Sequence, residues 1–265
     1  MAASDPLAGV RCFMLDMDGT FYVGERLVEG ALAFIELLRQ QGRDFLFLTN
    51  NSSKDARQYV AKLARLGLPV PARQVLTSGE ATAAHLHDLQ PGARVYVVGT
   101  PALEQAFQAR GFSADDRHPD YVVLGFDTGL DYAKLWRMCD LVRAGTPYIA
   151  THPDFNCPTE TGYMPDIGAT IAYVRASTGR DPDLTVGKPN RLIAEQAAAR
   201  VGRPLAELCM VGDRLYTDIA LGAAAGVPTV LVLSGESRAD EVANAAHPPT
   251  LVCAHLGALA DYLRG

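Results

Sequence analysis

Short apolar runs alternate with stretches of helical periodicity along almost the whole chain. Residues 10–15 read as a buried strand that ends at Asp16. Apolar positions at 31, 32, 34, 35, 37 and 38 repeat with the period of a helix over 31–41, and Gly42 supplies its stop. Residues 45–48 read as the next strand, which ends at Thr49 and Asn50. Ser52 and Asp55 have the spacing of a capping box, ahead of a helix that turns Tyr59, Val60, Leu63 and Leu66 inward and ends before Gly67. Further strands are predicted at 95–98, 121–124, 148–150, 208–211, 229–233 and 251–253. Helices are predicted at 191–201, stopped by Gly202, and at 218–225, stopped by Gly226 and Pro228. A further helical pattern begins near Asp131 and carries Trp136 and Met138 as expected core residues. Such alternation predicts α/β architecture.

Residues 151–168 break the pattern. Pro153, Pro158 and Pro165 with Gly162 and Gly168 predict a loop or broken edge rather than regular structure, and long loops inside compact domains tend to be functional. No solenoid period or low-complexity segment is present.

A chain of 265 residues accommodates one large domain or a core with an inserted second domain. With 48% hydrophobic and 20% charged residues a sizeable core is expected, and disorder only at the first few residues. The net charge of −6 counts against nucleic acid as a partner, because backbone phosphates require a basic face. It leaves small phosphorylated ligands open, since one metal ion and one lysine reverse the local field. No apolar segment approaches the roughly 18 residues of a membrane helix, so no membrane partner is expected. Residues 1–9 lack the basic region and apolar stretch of a signal peptide. The cysteines, at 12, 139, 157, 209 and 253, are odd in number and without CxxC spacing, which predicts neither disulfides nor zinc. Cys12 and Cys209 lie in apolar runs and are expected as buried thiols, and the cytoplasm is the expected compartment.

The candidate chemistry sits at strand ends. Asp16-Met17-Asp18-Gly19-Thr20 places two carboxylates directly after the first strand, a pattern suited to acid/base work or metal binding. Ligands of open α/β sheets gather just beyond such strand ends. A calcium loop is excluded, because the EF-hand glycine belongs at about position six and position twelve would be Leu27 rather than Glu. Thr49-Asn50-Asn51 offers a hydroxyl and amides before a helix, a suitable anion site. Gly187-Lys188-Pro189 puts a lysine ahead of the 191–201 helix, and Gly212-Asp213 through Asp218 supplies two more carboxylates. Alone these could be a helix cap, a surface lysine and a polar turn. Together, at successive strand ends, they point to one site.

The order DxDGT, TNN, GKP, GDRxxTD resembles the haloacid dehalogenase (HAD) superfamily, in its NagD-like, para-nitrophenyl-phosphatase-like branch, from Val10 to about Leu233. The resemblance implies a Rossmann-like doubly wound parallel sheet core (residues 1–77 and 183–265) with an inserted α/β cap (78–182). It implies that Asp16 is a nucleophile forming an aspartyl-phosphate, and that Asp18 is the general acid and base. Magnesium would be held by the Asp16 carboxylate, the Asp18 backbone carbonyl and Asp213, while Thr49, Asn50, Asn51 and Lys188 would bind the phosphoryl group. Gly19 and Asp218 would support them, Asp218 by positioning Lys188 or a metal-bound water. Asp18 favours phosphate ester hydrolysis over dehalogenation, because a halide leaving group needs no proton. The implied substrates are small phosphorylated metabolites: sugar phosphates, nucleotides or para-nitrophenyl phosphate. A homodimer through the cap is a family habit. A phosphotransferase or mutase on this scaffold is disfavoured by the short interval from Thr20 to Thr49. A decayed phosphate-metabolite-binding regulator is disfavoured by the intact Asp16, Asp18, Lys188 and Asp213.

The cap loop departs from the family pattern of an Asn-Pro-Asp opening and a Pro-Gly-x-Gly close. Here it opens Thr151-His152-Pro153-Asp154 and closes Pro165-Asp166-Ile167-Gly168. Asp166 is expected near the mouth, where its charge would repel a second anionic group and favour neutral leaving groups. Cys157 lies in the same loop.

Overall fold

The computed structural model describes residues 5–159 and 161–265, so the first four residues, where disorder is expected, lie outside the described residues. Two compact units are formed, one from Met1–Thr49, Val60–Leu76 and Lys188–Gly265, the other from Asn50–Tyr59 and Thr77–Gly187.

The first unit is built on a six-stranded sheet in the order Leu251–Cys253, Thr229–Val232, Leu208–Gly212, Cys12–Leu15, Asp44–Thr49, Val75–Thr77. Strand Cys12–Leu15 pairs in parallel with Leu208–Gly212 on one side and Asp44–Thr49 on the other. Its four side chains are all buried, as a parallel strand covered on both faces requires. The chain winds outward from this strand in both directions, which makes its carboxyl end a switch point where ligands bind. Leu15 lies opposite Val211, so the chain emerges from the two strands side by side and carries Asp16 and Asp213 to the same edge. Helix Ala31–Gln40 buries Phe34, Ile35 and Leu38 on one face, and Phe34 packs edge to face on Phe13 with ring centres 5.6 Å apart.

Helix Ala56–Arg65 starts differently from the sequence expectation. Its capping box is Asp55 with Gln58: the Gln58 N–H donates to Asp55 Oδ1 at 2.9 Å and the Asp55 N–H donates to Gln58 Oε1 at 3.0 Å. Ser52 turns inward instead, where its hydroxyl accepts from the Phe126 N–H at 2.8 Å and bonds Thr151 Oγ1 at 3.0 Å. Both spacings exist in the sequence, and a tertiary contact claimed the serine. Helix Arg191–Val201 is capped by Asn190 and ends at the left-handed Gly202. The helix expected at 218–225 begins as a wide π-type turn, Leu215–Ile219, and continues as Ala220–Ala225. Such turns frequently mark functional positions.

The second unit has a five-stranded sheet in the order Leu184–Thr185, Tyr148–Ala150, Tyr121–Leu124, Arg94–Val98, Ser113–Ala114. Every neighbouring pair in it is parallel. Helices Tyr132–Arg143 and Ile167–Thr178 pack on it through Met138, Val142, Ile167 and Val174. Trp136 is not core: it is 65% exposed, whereas Met138 is fully buried. Two residues along a helix are about 200° apart, so the pair cannot share a face.

The proline-rich segment is also more regular than expected. Strands Asn156–Thr159 and Gly162–Pro165 form an antiparallel hairpin, followed directly by the helix that Asp166 caps. A two-stranded sheet leaves each strand an outer edge, where a proline's missing N–H removes no ladder bond. Among the described residues no helix is long and apolar enough to cross a membrane.

Candidate active site

The site grows from the end of the central strand. The Asp16 N–H donates to the Val211 carbonyl at 2.9 Å, extending the sheet by one residue, and the chain then reverses. The Phe21 and Tyr22 N–H groups return to the Met17 carbonyl at 2.9 and 3.1 Å. Gly19 makes the reversal possible with φ +87°, and its lack of a side chain is equally required. A Cβ there would stand 2.4 Å from Asp213 Oδ2. Thr20 donates its hydroxyl to Asp213 Oδ1 at 3.1 Å, so the DGT run clasps the Asp213 carboxylate.

A loop that the sequence reading overlooked completes this clasp. Beyond strand Thr229–Val232, the Glu236 N–H donates to Asp213 Oδ2 at 2.8 Å. Gly235 lies so close that a Cβ would fall 2.0 Å from the same oxygen. Ser234 donates its hydroxyl to the Gly19 carbonyl at 2.7 Å. The Ser234-Gly235-Glu236 turn at yet another strand end was the available signal.

Lys188 is buried, 3% exposed, and its ammonium bridges two carboxylates. Nζ lies 2.5 Å from Asp16 Oδ1 and 2.7 Å from Asp218 Oδ1, with the Leu48 carbonyl at 3.4 Å. Asp218 accepts the Arg214 N–H on its other oxygen at 3.1 Å. Burial pulls the lysine pKa down, but Asp16 and Asp218 outweigh it and raise it above its ordinary value, so the ammonium stays charged. Asp213 is pushed up to about 7, by burial first and then by the charges of Asp16 and Asp218. Burial also raises Asp218, against the pull of Lys188.

Asp16, Asp213 and Asp218 bring carboxylate oxygens within 4.8 Å of one another. Three buried carboxylates thus face one ammonium, with the charge of the Arg214 guanidinium also acting on Asp213 and Asp218. An oxygen-only donor set suits a hard divalent cation such as magnesium or calcium. The residues fit a metal ion.

Asp18 points away from this cluster and its side chain is 52% exposed. Its carboxylate accepts the Tyr22 hydroxyl at 3.3 Å and lies 4.0 Å from Lys62 Nζ. Thr49 is buried at the end of the strand neighbouring that of Asp16.

The remaining candidates belong to the second unit. Asn50 Nδ2 donates to both oxygens of Asp154 at 3.2 Å, and Asn51 Oδ1 accepts from the N–H and hydroxyl of Ser53 at 2.9 and 2.6 Å. Asp166 is not the mouth carboxylate expected from sequence. It is 5% exposed, pairs with His152 Nε2 at 2.9 Å, and accepts the Ile167 N–H at 2.7 Å at the helix start. A helix N-terminus and an imidazole take up its charge. His152 Nδ1 shares a hydrogen bond with Thr151 Oγ1 at 3.0 Å, so both ring nitrogens are engaged. Cys157 sits in the hairpin with Sγ 4.0 Å from Asn51 Nδ2.

The haloacid dehalogenase-like hydrolase family matches this chain over residues 13–113, and a second, HAD-hydrolase-like model matches 185–259. The chain belongs to the haloacid dehalogenase-like hydrolases. Within that family it falls in the NagD-like branch. It is 36% identical to 5'-nucleotidase YutF of Bacillus subtilis over 238 residues, covering 90% of this chain and 93% of the relative. The solved 4-nitrophenylphosphatase of Thermotoga maritima is 46% identical, with a TM-score of 0.94 over 97% of this chain and 98% of that one. A glycerol phosphate phosphatase of Mycobacterium tuberculosis, solved in complex with magnesium, is 34% identical with a TM-score of 0.88, over 96% of this chain and 78% of that one. This haloacid dehalogenase-like hydrolase is accordingly a phosphoric monoester hydrolase.

Proposed function

We propose that this haloacid dehalogenase-like hydrolase is magnesium-dependent and cleaves small phosphate monoesters through an aspartyl-phosphate on Asp16. The observation that carries the reading is the Lys188 ammonium bridging Asp16 and Asp218, with Asp213 completing a carboxylate cluster. Lys188 pairs with Asp16 and carries positive charge to where phosphoryl oxygens would lie.

An Asp16 oxygen attacks phosphorus, forming an O–P bond as the bond to the leaving oxygen breaks. Asp18 gives its proton to that oxygen. Asp18 then takes a proton from water as the water oxygen attacks phosphorus and the Asp16–phosphorus bond breaks, which returns phosphate and free Asp16. Thr49 and Lys188 hold the transferring oxygens throughout. Asp16, the Asp18 carbonyl and Asp213 would hold magnesium, which would supply positive charge to offset the carboxylates and the phosphate. Gly19, Thr20 and Glu236 orient Asp213, and Asp218 orients Lys188.

The substrates are small monoesters of the sugar phosphate, nucleotide or nitrophenyl phosphate type, a class supported by what the relatives' names state. The exposed Tyr132, Trp136 and Tyr173, which line one groove with Leu135 and Arg143, support pairing of two copies through the second unit, a point sedimentation decides. All five cysteines are free thiols, which supports a reducing compartment such as the cytoplasm.

Turnover of 4-nitrophenyl phosphate with and without magnesium, together with Asp16→Asn, tests the function. Wild type should hydrolyse the ester only with the metal, labelled ester should leave a covalent adduct at Asp16, and the variant should do neither. An adduct on another residue, or full hydrolysis by the variant, refutes the mechanism.

A further inference from the structure

Lys62 and Tyr22 stand outside the chemistry described above, yet both face its acid/base group within the first unit. Lys62 lies near the end of helix Ala56–Arg65, and its side chain is only 17% exposed. Its ammonium sits 3.7 Å from the centre of the Tyr22 ring and 4.0 Å from Asp18 Oδ1. The Tyr22 hydroxyl donates to the other Asp18 oxygen at 3.3 Å. The backbone supports the same grouping, because the Gly19 N–H donates to the Tyr22 carbonyl at 2.8 Å and so ties the residue after Asp18 to the tyrosine.

The three side chains form a small braced unit. Tyr22 is fully buried, which makes its ring a fixed platform. A cation held on the face of that ring is anchored by the ring quadrupole. The same cation draws electron density from the ring and strengthens the phenol as a hydrogen-bond donor. Half of the Asp18 side chain faces solvent, and this open side can meet a substrate's leaving group only if the carboxyl group is held in place. A proton donor must meet the leaving oxygen within hydrogen-bond reach, and a misplacement of about 1 Å can cost roughly 100-fold.

We propose that Lys62, acting through Tyr22, is a positioning residue that aims Asp18 at the leaving-group oxygen. The proposal rests on the acid/base role of Asp18 set out above. It makes a distinction that a fold-stabilising lysine would not. Aiming the acid matters when the leaving group needs a proton, and matters little when it leaves as a stable anion. An alkyl ester such as glycerol phosphate belongs to the first kind, and 4-nitrophenyl phosphate to the second.

The test compares kcat and KM for these two esters in wild type, Lys62→Met, Lys62→Arg, Tyr22→Phe and Asp18→Asn. Lys62→Met should lose about tenfold or more in kcat on glycerol phosphate and less than about threefold on 4-nitrophenyl phosphate, with KM little changed. Lys62→Arg should recover most of the loss, and Tyr22→Phe should show a smaller loss with the same selectivity. Equal losses on both esters, or none, in Lys62→Met and Tyr22→Phe overturn the proposal. If Lys62→Met does not fold, Tyr22→Phe decides by the same criterion. Asp18→Asn separates the two levels of the argument: if it treats the esters alike, the acid role of Asp18 fails, and with it the proposal. If Asp18→Asn discriminates and the other variants do not, only the positioning role fails.

Discussion

Replacing Asp213 by asparagine removes one carboxylate from a cluster in which three face a single ammonium. The change is nearly isosteric and its hydrogen bonds survive. The asparagine oxygen can accept the Glu236 N–H in place of Oδ2, and the amide can donate to the Thr20 hydroxyl, which rotates to accept. In the metal-free protein Asp213 is raised from 3.8 to about 7 by burial, Asp16 and Asp218. Between those values the folded form holds a proton that the unfolded chain has released. Stability is therefore fully present below the unfolded pKa and is lost as the pH rises through about 7. A shift of about three units at about 1.4 kcal/mol each sets a ceiling of roughly 4 kcal/mol at pH 8. Asparagine does not ionise, so the variant escapes this loss. Thermal and urea melts of the protein, with chelator present, at about pH 5 and about pH 8 sample about two of those units, roughly 3 kcal/mol. Wild type should weaken across that range. Asp213→Asn should be flatter and, at the upper end, the more stable protein, although inactive. Added magnesium should stabilise wild type and leave the variant almost unmoved, because ligand binding stabilises only the protein that binds. A variant that is less stable at pH 8 and follows the wild-type pH dependence would refute the reasoning.

Two further substitutions test other parts of the site. Lys188→Met leaves Asp16 and Asp218 buried without their shared cation, so it should destabilise the fold by about 3–5 kcal/mol at neutral pH. The cost should shrink as acid protonates the carboxylates, and activity should fall at least 100-fold; unaltered melting would contradict the burial argument. Asp166→Asn keeps a helix-capping oxygen but weakens the bond to His152, so it should cost about 1–2 kcal/mol in stability. It should leave the preference between singly and doubly phosphorylated substrates unchanged, and a marked shift toward bisphosphates would restore Asp166 to the mouth of the site.

Much of the site was legible because its residues follow strands. A strand's end is visible in sequence as an apolar run giving way to polar residues, and parallel strands deliver their ends to one edge. Asp16, Thr49 and Asp213 each follow or end such a run. The positions that were misread share a different property. Ser52 and Asp55 each had the spacing of a cap, and only the contacts of Ser52 with Phe126 and Thr151 decided between them. Trp136 lay in a helical pattern whose inward face is set by the sheet beneath it. Asp166 looked like a free carboxylate because His152, fourteen positions earlier, gives no local sign of being its partner. The Ser234-Gly235-Glu236 turn sits at a strand end like the rest of the site, and only its contact with Asp213 gave that position a role.

By itself, then, the sequence determined the alternation of strands and helices, most of their stops, and the acidic and basic residues that strand ends present. These depend on side-chain periodicity and turn chemistry within a few residues, which one segment carries alone. Only the tertiary structure decided which strands are neighbours, that Lys188 bridges Asp16 and Asp218, that Asp213 is clasped from two sides, and that Lys62 reaches Asp18. Those contacts join residues far apart in the chain, and their energies exist only once burial has removed water from between them.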